Sequence, residues 1–398
     1  MAIVADDMDW GLDGVQDAAG QAGSAGVMLS GRHEFAVTAV DGLERAGNGP
    51  HRPDTPGMVV ERLSSGTTGP PKRIPVSGEV MLTALRSAEA AASPRSGEEA
   101  LRVQSSPGLI LSPFTHAGGI FALLLALYQA RPIVLFEKFD VARWVEAVQR
   151  HSPKSASLVP AMIRMVLASD TPPEALSSLR AIRSGTAPLD PETQEAFEAR
   201  FGIPVLIDYG AAEFIGGVAG WSLSDHRRFA QQKRGSAGRP RPDVHLRTID
   251  SGTAAVLGPG QIGQLEIKSA RFSPDWIRTM DLASLDEDGF LYIHGRADDA
   301  INRGGFKVLP DDVIAVLRQF PGVDDVAVMG VPDQRLGHVP IAVIETSRTD
   351  LDPVALEAFA RRRLAPYQVP VQFRFVAALP RTTTMKVSRP ELKAMLGL

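Results

Sequence analysis

The chain has 398 residues, 44% of them hydrophobic and 22% charged, with a formal net charge of −4. That length and balance describe a soluble globular protein of more than one domain, and they exclude a strongly basic nucleic-acid footprint or a polybasic membrane patch. There is no cysteine, which excludes disulfides, thiolate metal sites and cysteine nucleophiles, so any thiol chemistry must use a thiol that arrives from outside.

Residues 1–57 are rich in Gly and Ala with weak periodicity, and read as a reduced lobe or a partly ordered entry segment. Asp6, Asp7 and Asp9 stand where a secretory leader would be basic and then apolar, so a cytoplasmic protein is the default expectation. The run Met58-Val59-Val60 leads into Ser64-Ser65-Gly66-Thr67-Thr68-Gly69-Pro70-Pro71-Lys72. Such a loop offers hydroxyls, unhindered N–H groups and a final cation to a phosphate chain, because glycine admits close backbone approach and aligned N–H dipoles favour anions. It lacks the Gly-x-x-x-x-Gly-Lys-Ser/Thr spacing of a P-loop, and a plain surface linker has the same composition.

From residue 107 strand-like and helix-like segments alternate. Strands are expected at 109–111, 133–136, 157–159, 181–183 and 205–207, with helices at 119–130, 140–150, 161–168 and 191–200. The apolar run from Ile120 to Tyr128 is too short to cross a bilayer and reads as a buried helix. This alternation predicts an α/β domain with a parallel sheet, whose ligands bind in loops beyond the strand carboxyl ends. Between about 235 and 294 short strands at 244–249, 263–268 and 290–294, separated by Gly and Asp turns, predict a β-rich subdomain. A further βαβ-like unit follows near Arg296, with helices at 313–319 and 353–364 and strands at 326–329, 341–344 and 373–376. The boundaries expected are therefore a reduced segment 1–57, a core domain 58–295 and a small α+β C-terminal domain 296–398.

Seven further short segments follow the 64–72 loop: Leu111-Ser112-Pro113-Phe114-Thr115-His116, Gly185-Thr186-Ala187-Pro188-Leu189, Asp208-Tyr209-Gly210-Ala211-Ala212-Glu213, Gly235-Ser236-Ala237-Gly238-Arg239-Pro240, Thr279-Met280-Asp281, Gly295-Arg296-Ala297-Asp298-Asp299 with Gly304-Gly305, and Pro380-Arg381-Thr382-Thr383-Thr384-Met385-Lys386-Val387-Ser388-Arg389. Each alone reads equally as an ordinary turn, strand exit or solvated lysine. In this order, over residues 63 to 390, they resemble the adenylate-forming superfamily of acyl- and aryl-CoA synthetases, adenylation domains of peptide synthetases and luciferases.

The resemblance implies ATP-dependent activation of a carboxylic acid as its acyl-adenylate, with loss of pyrophosphate, then transfer to CoA. It implies that Ser64, Ser65, Gly66, Thr67, Thr68, Gly69 and Lys72 hold the β- and γ-phosphates, and that Glu213 helps hold Mg²⁺. Tyr209 would stack on adenine, with Gly185, Thr186 and Ala187 on its other side and Asp208, Gly210, Ala211 and Ala212 alongside. Asp281 would accept from both ribose hydroxyls, joined by Arg296, and Lys386 would bridge the substrate carboxylate and the α-phosphate. His116 would border the acyl pocket as a gate, although a core histidine would also suit the position. Asp298 matches the family's hinge residue, about which the mobile C-terminal domain swaps Lys386 for the Gly304-Gly305 loop and the pantetheine thiol. The other acyl-pocket candidates are Gly118, Gly119, Thr186, Ala211, Ala212 and Gly217. They are small and carry no second charge, which suggests a neutral aromatic or medium aliphatic acid. A homodimer is the family's habit.

The chain departs from the family pattern at its early phosphate loop, at Ala212 in place of Thr, at Met280 and Met385 in place of Gly, and at Asn302 in place of a frequent Lys. The charged set of Lys72, Glu213, Asp281, Arg296 and Lys386 is complete. A working CoA synthetase is therefore the leading expectation. The alternatives are an adenylating enzyme that passes its acyl group to a carrier-protein phosphopantetheine or an amine, and a catalytically silent nucleotide-binding or scaffold homologue.

Overall fold

The computed structural model describes residues 2–30, 36–47, 57–63, 73–92, 102–114, 116–210, 214–382 and 385–397. The chain divides into two compact units, 1–58 and 59–398. In the first, strand β1 (Ala2–Asp6) leads through helices α1 (Asp7–Trp10) and α2 (Val15–Gln21) to β2 (Ala25–Ser30), which pairs parallel to β1 and antiparallel to β3 (Ala36–Ala39). Trp10 anchors this unit: its ring is buried with Ala19, Val40 and Leu43, and its indole N–H donates to Val27 O at 3.0 Å. One large aromatic gives a small Gly- and Ala-rich segment a core that its periodicity does not advertise.

The second unit begins with the pair β4 (Met58–Leu63) and β5 (Arg73–Ser77), then helix α3 (Gly78–Ala92). Strand β6 (Gly108–Ile110), helix α4 (Ala117–Tyr128) and β7 (Ile133–Leu135) form a parallel crossover, β6 on β7. Helices α5 (Val141–His151), α6 (Pro160–Ala168) and α7 (Pro191–Phe201) alternate with the parallel strands β8 (Ser155–Ser157), β9 (Ala181–Ser184) and β10 (Val205–Tyr209). Their apolar faces meet in one cluster around the fully buried Trp144, Ile163, Ile182 and Phe197. Asp140 caps α5 by accepting from Arg143 N at 2.9 Å, and Asp190 caps α7 by accepting from Thr193 N at 2.8 Å, with Pro191 at the first helical position. Helix α4 was expected to be buried, yet only Gly119 and Ala126 are fully so. Its Phe121, Leu124, Leu125 and Tyr128 pack on the cluster of α3 and Ile215, and Leu127 stays exposed.

The sheet continues antiparallel through β11 (Ala219–Gly220) and β12 (Arg239–Pro240), with helix α8 (Leu223–Phe229) between them. Gly238 takes φ 82°, and a Cβ there would lie 2.2 Å from Gly220 C and 2.5 Å from Trp221 N. Because both obstacles are backbone, Gly238→Ala is expected to destabilise the protein by about 2 kcal/mol or more, read as a lowered urea midpoint. An unchanged midpoint would mean that β11 and β12 do not approach this closely.

An antiparallel sheet follows, β13 (His245–Ile249), β14 (Gly263–Ser269), β15 (Ser273–Leu285) and β16 (Leu291–Arg296) in that order. The sequence reading missed β15, its longest strand. Thr279 and Asp281 lie buried on its inward face beside Ala283, so polar residues stand where alternation would show hydrophobic ones.

The C-terminal sheet runs β18 (Phe306–Val308), β17 (Ile301–Arg303), β20 (Gly337–Glu345), β19 (Asp325–Asp333), with β21 (Gln372–Val376) parallel to β20. Helices α9 (Pro310–Leu317), α10 (Pro353–Arg361) and α11 (Arg389–Leu396) cover it, over two apolar clusters of its own.

An ionic cluster joins this sheet to the α/β core. Asp325, with its side chain almost fully buried, accepts from Arg318 at the end of α9 and from Arg381 beyond β21, both at 2.7 Å, and from Arg164 of α6 at 3.2 Å. Arg164 also lies 3.6 Å from Asp190. Burial raises the Asp325 pKa, but the guanidiniums of Arg318, Arg164 and Arg381 outweigh it and hold the carboxyl well below the usual range.

Candidate active site

Three parts of the second unit come together: the end of β10 with β15 and β16, the loop before α11, and the start of α4. The first is the end of β10. Tyr209, the last residue of that strand, donates its hydroxyl proton to Asp281 Oδ2. Asp281 is buried in β15 directly across the ladder from Arg296 of β16, whose guanidinium lies 3.8 Å from Asp281 Oδ1. Arg296 also clasps Asp298 through two bonds of 2.8 and 2.7 Å. The hydrogen bonds that Arg296 donates to Asp298 raise the Arg296 pKa and lower that of Asp298. Ribose and hinge candidates are thus coupled through one arginine.

The second part carries Lys386. It sits in a tight turn in which Arg381 bridges Val387, Thr382 N donates to Lys386 O at 2.8 Å and Met385 N donates to Thr382 O at 2.8 Å. Surrounding protein and then the Arg296 guanidinium lower the Lys386 pKa, with Asp281 opposing them. Its side chain keeps solvent contact, so water moderates the effect. The third element is the start of α4. His116 stands at its N-cap, and burial followed by the Lys386 ammonium pushes the imidazole pKa down. Near neutral pH that makes it an uncharged donor or acceptor beside a cation. Lys386, Arg296, His116, Asp281 and Tyr209, taken from four distant stretches of sequence, therefore share one electrostatic neighbourhood.

Gly185, Thr186 and Ala187 follow β9, next to β10. A Cβ on Gly185 would lie 2.8 Å from Asp208 O, so the two strand ends approach backbone to backbone. Thr186 adopts the left-handed region at φ 70° while exposed, a conformation that costs a non-glycine residue on the order of 1–3 kcal/mol and concentrates at binding loops. Asp208 sits between two arginines, accepting from Arg183 at 2.8 Å and from Arg241. Its carboxylate is thereby tied into the sheet. Sequence reasoning missed both partners, since nothing local marks Arg241 as a companion of Asp208. Gly210 opens the loop after β10. Gly304 and Gly305 make the turn between β17 and β18, where Gly304 N donates to Leu336 O at 2.8 Å. Ser64, Ser65, Gly66, Thr67, Thr68, Gly69, Lys72, Ala211, Ala212 and Glu213 lie outside the described residues.

The Met385 side chain packs on the α/β core cluster around Trp144.

The sequence profile of the AMP-binding enzyme family matches residues 26–273, and that of the AMP-binding enzyme C-terminal domain matches residues 313–386. A sulfoacetate–CoA ligase of Cupriavidus necator is 32% identical over 369 residues, which cover 86% of this chain and 68% of that protein. Among solved structures, ATP-bound MatB from Rhodopseudomonas palustris has the same fold with a TM-score of 0.83 at 24% identity, over 99% of this chain and 78% of that one. The O-succinylbenzoate CoA synthetase of Bacillus subtilis, solved with ATP and a magnesium ion, matches with a TM-score of 0.72 at 25% identity, over 89% of this chain and 74% of that one. The chain spans 60–68% of the length of the curated relatives it matches. Among the described residues, no helix is long and apolar enough to cross a membrane.

Proposed function

Because the chain belongs to the AMP-binding enzyme family, we propose that it activates a carboxylic acid with ATP and transfers the acyl group to CoA. In the first half-reaction a carboxylate oxygen bonds to the α-phosphorus of ATP, the bond from that phosphorus to the bridging oxygen breaks, and pyrophosphate leaves. In the second, the CoA thiol loses its proton to solvent, sulfur bonds to the acyl carbon, and AMP leaves with the electron pair of the broken C–O bond. The observation that carries this reading is the meeting of Lys386 and Arg296 with His116, Asp281 and Tyr209. Two cations there favour the approach of two anions, the barrier that an uncatalysed carboxylate and triphosphate must overcome.

In this assignment Lys386 lies between the carboxylate and the α-phosphate, and Asp281 accepts from the ribose hydroxyls. Tyr209, its hydroxyl held by Asp281, presents its ring to adenine against Gly185, Thr186 and Ala187, and the 64–72 loop receives the leaving pyrophosphate. Mg²⁺ usually takes only one or two protein carboxylates; Glu213 would supply one here, and the ion would neutralise charge on the phosphates. Asp298 serves as the hinge between a core of residues 58–295 and a C-terminal part of residues 296–398. Rotation there withdraws Lys386 and brings Gly304 and Gly305 to the adenylate.

The test is exchange of labelled pyrophosphate into ATP with a panel of acids, followed by thioester formation with free CoA. Exchange that depends on the acid, and product that depends on CoA, are expected. Absence of exchange with every acid would leave a nucleotide-binding homologue, and exchange without CoA thioester would point to another acceptor.

A further inference from the structure

We propose that Met385 is a positioning residue: an apolar latch that holds the C-terminal sheet against the α/β core with Lys386 in the site. This rests on the two half-reactions and the hinge movement assigned above.

Three observations carry the inference. Met385 takes φ 63°, a left-handed conformation that glycine adopts freely and methionine does not. A turn that needs only to present Lys386 is better served by glycine. The methionine side chain is half-buried, and it packs not on its own sheet but on the cluster built from Leu109 to Val205 of the α/β core. The strain is therefore offset by a contact that exists only while the two parts are docked. Finally, the turn is tied to the same interface from behind. Arg381 donates to Met385 O at 3.3 Å with one nitrogen and to Asp325 at 2.7 Å with the other, and Asp325 receives Arg164 from the core. Docking of the Met385 side chain and placement of the Lys386 ammonium are one event. An unbranched, polarisable thioether suits a contact that must form and release in every cycle. Rotation about Asp298 would pull Met385 out of the cluster, so the latch favours adenylate formation and opposes thioester formation.

The chain contains no cysteine, so two introduced thiols can be labelled without interference. Glu192 of α7 and Gln319, just beyond α9, are exposed and face each other, with Gln319 Nε2 3.3 Å from Glu192 Oε1. Spin labels on Glu192→Cys and Gln319→Cys report docking directly. A short distance is expected to dominate in this background, and Met385→Gly and Met385→Asn are expected to add a long-distance population, whereas Met385→Leu keeps the short one. Asn is included because it tolerates the left-handed turn while removing the apolar contact. In kinetics, Met385→Gly and Met385→Asn are expected to slow pyrophosphate exchange about five- to tenfold, with thioester formation from supplied acyl-adenylate unchanged or faster. Unaltered distances in both variants, or equal loss in both half-reactions, would overturn the latch. If no acid supports exchange even with Met385 in place, the functional reading fails, and the distance comparison still decides whether Met385 docks the two parts.

Discussion

Lys386→Ala is expected to slow adenylate formation about 10²–10³-fold, the usual cost of deleting one preorganised charge donor. Acyl transfer from supplied adenylate to CoA should be far less affected, because Lys386 acts on the first half-reaction. Pyrophosphate exchange at the wild-type rate in this variant would remove Lys386 from the mechanism. A pH profile adds a second check. Surrounding protein and Arg296 lower the Lys386 pKa, and the ammonium form is the one that faces two anions. The kcat/KM of adenylation, which reports the free enzyme, should therefore fall on the alkaline side below the ordinary lysine value of about 10.4. Arginine stays protonated throughout that range. In Lys386→Arg the alkaline fall should move up or vanish, whatever activity remains. A fall at the same pH in both proteins would assign it to another group.

Asp325→Ala is expected to cost about 3–5 kcal/mol of stability, because it removes the buried carboxylate that three guanidiniums share. Urea unfolding measures this as a lowered midpoint, and a loss below about 1 kcal/mol would show that water already screens the cluster. The sign with pH follows from the depressed carboxyl pKa. Above the unfolded aspartate value of about 3.9 the contribution is present in full, and it fades as the pH falls below that value towards the native one. The wild type should therefore lose stability on acidification more steeply than Asp325→Ala. Since Arg381 ties Asp325 to the Lys386 turn, the variant should also lose adenylation activity under conditions where it remains folded.

Much of the architecture was legible. Helices α5 and α7 carry Asp N-caps, α7 adds a proline at its first position, and their apolar periodicity placed them within a residue or two. Strands β9 and β10, on either side of α7, were visible as short apolar runs, whereas β8 is Ser155–Ser157 and overlaps the run expected at 157–159 by one residue, because Ser155 and Ser157 flank a single buried Ala156. Strand β15 was not, because its inward face carries Thr279 and Asp281. The folded core of residues 1–58 was not either, because it depends on one tryptophan rather than on a pattern. Of the candidate site, Lys386, Asp281, Arg296, Tyr209 and His116 were named from motifs, and the fold brings these five together.

By itself the sequence determined which chemistry-bearing residues exist and in what order, together with the family they mark. Those signals are local: a turn's glycine, a cap's carboxylate or a lysine in a short motif answers to backbone geometry within a few residues. Tertiary structure alone decided what each group works against. Asp208 is held by Arg183 and Arg241, Arg164 reaches Asp325 across 161 positions, and Met385 packs on the α/β core cluster. Ion pairing and apolar packing depend on distance in space, and no spacing along the chain encodes a partner that folding brings from so far away.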